Sequence, residues 1–258
     1  MNHLQEVLLV MAKDIDILCQ KHGITYYLDG GSALGAVRHR GFIPWDDDFD
    51  IIMPPEDYKK FLEVCKSDDF DHDKYTLQEA FVDWNMHFSK IRLNNTSIEE
   101  IDADPNAHKG IFIDIFCFDY GSNYKLVRAK QYICAKLWMA YLLSNKPYSN
   151  LSLSKKLAMT VAKLLKWKPL RHFVRTQSQT SHPTKFYSIA WGRKRWHNAF
   201  LPVDFFDGSK RVKFEDYEFP IATKTHEYLS NTFGDYMKLP PESERQGSHA
   251  IKVDFGPY

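Results

Sequence analysis

Four carboxylates occupy five consecutive positions in Asp46-Asp47-Asp48-Phe49-Asp50, directly ahead of the apolar residues Ile51-Ile52-Met53. Two unit charges about 4 Å apart repel by roughly 4 kcal/mol at an effective dielectric near 20, so few folds admit such a run without a counter-charge. Phe49 to Met53 reads as a strand. In extended chain, residues two apart share a face, which would set Asp48 and Asp50 together and turn Phe49 and Ile51 away. An oxygen-only donor set of this kind suits a hard cation, Mg²⁺ with Mn²⁺ as the alternative ion. The competing reading is an acidic surface turn after Pro44. A calcium loop of the EF-hand type lacks its central glycine and closing Glu.

The metal reading gains from what precedes it. A strand over Ile24–Leu28 leads into Gly30-Gly31-Ser32, and a short helix from Ser32 to about His39 leaves it. Free backbone N–H groups at such a helix start can meet a phosphate. Further on, Gly110 to Phe118 is the most apolar run in the chain and reads as a central strand, with Asp114 alone inside it. A lone buried aspartate is costly unless it is paired or bound to metal. Asp114 is therefore expected as a third carboxylate facing Asp48 and Asp50; capping a loop or pairing with an arginine is the alternative.

Charge divides the chain. From Tyr120 through Val203 there is no Asp or Glu, against sixteen Lys and Arg, and twenty-three of the thirty-three acids lie at or before Asp119. With 258 residues, room exists for a domain and a sub-domain. The expected division is a catalytic core over 1–120, a basic helical insert over 121–200, and a strand–helix segment over 201–258 packing back on the core. The four cysteines, Cys19, Cys65, Cys117 and Cys134, lack metal-binding spacing and read as buried free thiols. Neither a signal peptide nor an apolar span of membrane length is visible, which points to the cytoplasm.

Leu4, Val7, Leu8, Met11, Ile15 and Leu18 recur at helical spacing, and Gly23 offers a stop. Pro54-Pro55-Glu56-Asp57 opens a helix to about Lys66. Strands are expected at Tyr75–Gln78 and Phe88–Leu93, with an acidic loop from Ser97 to His108. Helices follow over 124–143, 154–167 and 170–177, broken by Pro147 and Pro169. Lys213–Pro220 is a strand or half of a hairpin, Thr223–Thr232 a helix ended by Gly234, and the tail from Lys238 irregular. The fold class is α+β with α/β-like features: a mixed sheet flanked by helices, plus a basic helical sub-domain.

The stretch from Leu28 to His39, with Gly41-Phe42-Ile43-Pro44-Trp45-Asp46-Asp47-Asp48-Phe49-Asp50, resembles the signature of the LicD family of phosphocholine transferases. Lys90-Ile91-Arg92, Gly110 to Phe116, Phe214-Glu215-Asp216-Tyr217 and Gly234-Asp235-Tyr236-Met237 agree with it. The family has a nucleotidyltransferase-like core and shares its acidic motif with fukutin-related ribitol-phosphate transferases. The resemblance implies transfer of a phospho-alcohol, typically phosphocholine from CDP-choline, onto a sugar hydroxyl of a cell-surface glycan, such as lipopolysaccharide or teichoic acid, or its lipid-linked precursor, releasing CMP. It further implies Asp48, Asp50 and Asp114 as the catalytic and metal-binding residues. Gly30, Gly31 and Ser32 would cradle the donor phosphate, and Arg38 and Arg92 would clamp it. For each arginine a structural or surface ion pair is the alternative. Asp46 and Asp47 are further candidates. The gap from Ser32 to Asp48 fits this branch of the superfamily, no zinc-binding cysteine cluster is present, and the tail after Arg245 matches nothing.

Choline would want aromatic faces, for which Trp84, Trp191 and Trp196 are available, although core packing competes for each. The basic helices read as a solvated charged face, as a dock for an anionic membrane, or as a grip on an anionic lipid-linked glycan. No nucleic acid is expected, since no binding module for it is present. Two rival functions remain. One is a nucleotidyltransferase placing a nucleoside monophosphate on a small hydroxyl or amine; the other is a non-catalytic relative that binds a phosphorylated glycan.

Overall fold

The computed structural model describes residues 1–84, 86–100, 108–144, 153–245, 247 and 250–258. The chain divides into two compact units, residues 1–117 with 206–258, and residues 118–205.

In the first unit, helix α1 (His3–Lys21) opens on a capping box: the Asn2 side chain accepts the Gln5 N–H, and the Gln5 side chain accepts the Asn2 N–H. Its apolar stripe, including Leu4, Leu8, Met11 and Ile15, is buried. There follow β1 (Tyr27–Leu28), α2 (Gly30–Arg38), β2 (Asp50–Met53), α3 (Pro55–Val64), β3 (Tyr75–Gln78), β4 (Ser89–Leu93), β5 (Ser97–Glu100) and β6 (Phe112–Cys117). Five of these strands form a mixed sheet in the order β1-β2-β6-β4-β3, with β2 and β6 parallel and the other pairs antiparallel. The apolar run around Asp114 holds the centre, as a strand with a neighbour on each side needs.

Register places a polar row across this sheet. Asp50 on β2 lies opposite Asp114 on β6, Asp114 opposite Lys90 on β4, and Lys90 opposite Gln78 on β3. Registered partners share a face, so these four side chains project together.

The strand before the glycines is only two residues long, and β2 begins at Asp50 rather than Phe49. Because β1 ends at Leu28 and the chain turns at once into α2, the ladder reaches back only to Phe49, whose O accepts the Asp114 N–H at 3.1 Å. Asp48 therefore stands in a loop, and strand alternation is not what brings it to Asp50.

After the second unit the chain returns with a hairpin of β10 (Ser209–Phe214) and β11 (Tyr217–Ala222), then α7 (Thr225–Phe233), closed by Gly234 at φ +73°. The tail is not irregular throughout. Strand β12 (Ala250–Asp254) pairs antiparallel with β5, which itself falls in the stretch expected as an acidic loop. Each of these two strands exists because of the other, so neither carries a local signal. Residues 101–107 of that stretch lie outside the described residues.

The hairpin is tied to α1 through Asp16, which is fully buried. Its carboxylate accepts Arg211 Nη1 and Nη2 at 3.1 and 2.7 Å, Tyr26 and Tyr217 hydroxyls at 2.6 and 2.9 Å, and Gln20 Nε2 at 2.6 Å.

The second unit contains β7 (Asp119–Gly121), α4 (Lys125–Leu143), α5 (Leu153–Ala162) running into a 3₁₀ turn (Lys163–Lys166), α6 (Lys168–Gln177), β8 (Phe186–Ser188) and β9 (Phe200–Pro202). Trp138, Tyr141, Leu142, Ala162, Leu165 and Val174 form one of its cores. It is not wholly helical: β7, β8 and β9 make an antiparallel sheet, and Arg175 grips Asp119 with two bonds of 3.2 Å. The expected break before Pro169 is present: the 3₁₀ turn ends at Lys166, Trp167 is extended, and Pro169 sits in the first turn of α6, where a missing N–H is harmless. The expected break at Pro147 lies outside the described residues. All four cysteines are free; Cys19 and Cys65 are buried, Cys117 and Cys134 half-buried. Among the described residues no helix is long and apolar enough to cross a membrane.

Candidate active site

The glycine turn and the acidic loop meet. Gly30 has φ +49°, a conformation that favours glycine, and a Cβ added there would lie 3.1 Å from Asp50 Oδ2. At Gly31 an added Cβ would lie 2.6 Å from Asp46 Oδ2. Both glycines thus let carboxylates approach the start of α2 more closely than any side chain would allow. Ser32 acts differently from the expected phosphate cradle. It is buried, and its Oγ accepts the Asp50 N–H at 2.9 Å, fastening the first residue of β2. Tyr228 on α7 completes the turn: its hydroxyl donates to Asp29 Oδ1 and accepts the Gly30 N–H at 3.3 Å.

Carboxylate oxygens of Asp46, Asp47 and Asp48 all lie within 4.8 Å of one another. Asp50 is half-buried, and its Oδ1 is shut off from solvent without a hydrogen-bond partner among the described residues. Desolvation above all, then the charges of Asp48, Asp114, Asp29 and Asp46, raise its carboxyl well above the usual range. Desolvation, followed by Asp48 and Asp47, pushes Asp46 up to about 8. Such mutual repulsion, an orphaned buried oxygen and an all-oxygen donor set fit a divalent cation. The carboxylates gathered here are more numerous than Asp48, Asp50 and Asp114, for Asp46 and Asp47 lie beside Asp48.

Asp114 carries a second relationship. Lys90 Nζ, itself buried, lies 3.4 Å from Asp114 Oδ1 and 5.3 Å from the Trp84 ring centroid. The lone acid in the central strand is thus faced by a lysine from β4, not an arginine. Sequence reading missed Lys90; its signal was the alternation of Lys90 and Arg92 on a strand beside Asp114.

The two expected clamps part company. Arg92 is 2% exposed, with Nε bonded to Gln78 Oε1 at 2.9 Å, Nη1 to Gly110 O at 3.0 Å, and the guanidinium over Phe112. It is a structural cation inside the fold: it shares the face of Lys90 but lies two residues further along β4, where Gln78 and Gly110 hold its guanidinium. Arg38, at the end of α2, remains half-exposed, with Nη1 donating to Tyr236 O at 2.9 Å and Nε 3.4 Å from His39 Nδ1. Burial and then the nearby Arg245 charge lower its pKa. Arg245 lies 5.6 Å over the Trp45 ring, its Nε bonded to Pro240 O at 2.9 Å, and Trp45 meets His39 edge-on at 6.3 Å. Among the described residues no carboxylate pairs with either arginine. At Gly247 an added Cβ would lie 2.9 Å from Asp47 Oδ2, so the tail passes directly over the acidic loop. Arg245 was missed because the tail carries no motif. Of the tryptophans, Trp84 is near the site through Lys90, whereas Trp196 packs on Tyr132 and Phe200 in the second unit.

Residues 23–145 match the family model described as LicD/FKTN/FKRP, nucleotidyltransferase domain. The chain is 28% identical over 249 residues to the lipopolysaccharide cholinephosphotransferase LicD of Haemophilus influenzae, covering 90% of this chain and 89% of that protein. It is also similar to the human ribitol 5-phosphate transferase FKRP, 54% identical over 35 residues, or 14% of this chain and 7% of that protein. An uncharacterized protein of Rickettsia typhi is 44% identical over 54 residues, 21% of this chain and 18% of its own.

Proposed function

We propose that this chain, whose residues 23–145 match the LicD/FKTN/FKRP nucleotidyltransferase domain, is a phosphotransferase acting on a glycan. The group moved is a phospho-alcohol, phosphocholine from CDP-choline in the first instance, and the acceptor is a sugar hydroxyl of a cell-surface glycan or its lipid-linked precursor. The observation that carries this reading is the orphaned Asp50 Oδ1 among four other carboxylates, against a glycine turn.

Asp46, Asp48 and Asp50 would hold Mg²⁺, whose chemistry is to neutralise charge on the phosphoryl oxygens. Arg38 and Arg245, without acidic partners among the described residues, would bind the donor diphosphate through charge-assisted bonds, with Trp45 holding Arg245 in place. Lys90 orients Asp114, whose carboxylate would take the proton of the attacking hydroxyl. The sugar oxygen then bonds to the phosphorus that carries the alcohol, the bond from that phosphorus to the bridging diphosphate oxygen breaks, and CMP leaves.

Incubation of the purified chain with CDP-choline, CDP-ribitol or CDP-glycerol, Mg²⁺ and a glycan acceptor is expected to release CMP. Pyrophosphate released from a nucleoside triphosphate instead would assign nucleotidyl transfer. Arg245→Ala removes one charge-assisted contact to the donor, worth about 1.5–3 kcal/mol, or roughly ten- to a hundredfold in kcat/KM. Its loss is expected mainly in KM for the donor; an unchanged KM would remove Arg245 from the donor site.

A further inference from the structure

We propose that the second unit carries a docking face for anionic membrane, built by α5 and the 3₁₀ turn that follows it. This stretch buries Ala162 and Leu165 in its own unit. It turns Leu157, Val161 and Leu164 outward at 67%, 47% and 66% exposure, and Trp167, just past the turn, is 67% exposed. Positions 157, 161 and 164 follow i, i+4, i+7 spacing and share one flank. Large apolar side chains left together in water on one flank mark an interaction surface.

The surrounding charge identifies the partner. Lys156, Lys163, Lys166 and Lys168 are exposed around the apolar residues. No acid offsets them anywhere between Tyr120 and Val203, where sixteen Lys and Arg occur. A lipid surface offers both complements at once, hydrocarbon for the leucines and valine and negative headgroups for the lysines, with Trp at home between them. A second copy of the chain seated twofold on this flank would set lysines against lysines. Nucleic acid would meet the lysines but leave Leu157, Leu164 and Trp167 in water. The inference stands apart from the chemistry proposed for the acidic site. It would bring the chain to the surface where a lipid-linked acceptor resides.

Sedimentation of the full chain with vesicles tests it. Partition is expected to be about tenfold or more stronger onto mixed phosphatidylglycerol–phosphatidylcholine vesicles than onto phosphatidylcholine alone, and to weaken as salt is added. The double variant Leu164→Ser/Trp167→Ser changes only exposed side chains and should keep the wild-type far-ultraviolet dichroism. Its partition should fall about tenfold. Equal partition onto both vesicle types, no partition, or wild-type partition by the double variant would each overturn the proposal. So would a dimer in solution that the double variant converts to monomer.

Discussion

Asp50→Asn should lower turnover by about three orders of magnitude or more, the scale of losing a principal electrostatic contact in a transition state. The same substitution should leave the cation-free protein as stable as the wild type or more so. In the wild type, Asp50 Oδ1 has no hydrogen-bond partner among the described residues, and desolvation together with four neighbouring carboxylates disfavours its charge. A neutral amide removes that repulsion while keeping the shape and the Asp50 N–H bond to Ser32 Oγ. Added Mg²⁺ should raise the melting temperature of the wild type, because a ligand bound only by the folded state stabilises it, and should do so far less for Asp50→Asn. Asp114→Asn makes the contrast. It would take the facing carboxylate away from the buried Lys90 ammonium, so inactivation there should come with lost stability. Wild-type turnover in Asp50→Asn would remove the residue from the mechanism. A destabilised Asp50→Asn would show that the carboxylate has a structural task.

The second large effect concerns stability alone. Asp16→Ala should cost about 1–3 kcal/mol, the range for leaving a buried donor, here the Tyr26 hydroxyl, without its acceptor. Five donors converge on that carboxylate from α1, the segment before β1 and the hairpin. Desolvation by itself would raise the Asp16 pKa, but the Arg211 guanidinium and the hydroxyls of Tyr26 and Tyr217 outweigh it and hold the carboxyl below its ordinary value. A depressed folded-state pKa means stability that is fully present above the unfolded carboxyl's pKa of about 3.9 and lost as pH falls through the lower folded value. Urea denaturation should therefore show the wild type losing stability below about pH 4, with a shallower slope in Asp16→Ala. Asp16→Ala/Arg211→Met should cost little more than Asp16→Ala alone, since Arg211 is exposed and acts on the core mainly through Asp16. A single variant within about 1 kcal/mol of the wild type would show that the network contributes little beyond packing.

Local signals carried far in this chain where a short stretch dictates its own neighbourhood. The i, i+3, i+4 apolar positions of α1, the proline and acids opening α3, and the apolar run of β6 are each legible within a dozen residues. The glycine turn and the acidic loop could likewise be read as one site, because so few residues separate them. The route to their meeting was different from the expected one. A β1 of only two residues leaves Asp48 outside the strand, and loop geometry, not alternation, sets it beside Asp50.

What the amino-acid order determined alone is the inventory: a run of aspartates beside glycines, a central strand with one acid, and a middle third without acidic residues. Tertiary structure decided which cations serve which acids. Lys90 and Arg92 lie two apart on one strand, yet the first faces Asp114 and the second is locked to Gln78 and Gly110. Arg38 gained Arg245, and β5 gained β12, from a tail with no motif of its own. The physical reason is common to all three. A side chain's charge is a property of the residue, but its partner is set by strand register and by chain segments far away in sequence, which no local pattern encodes.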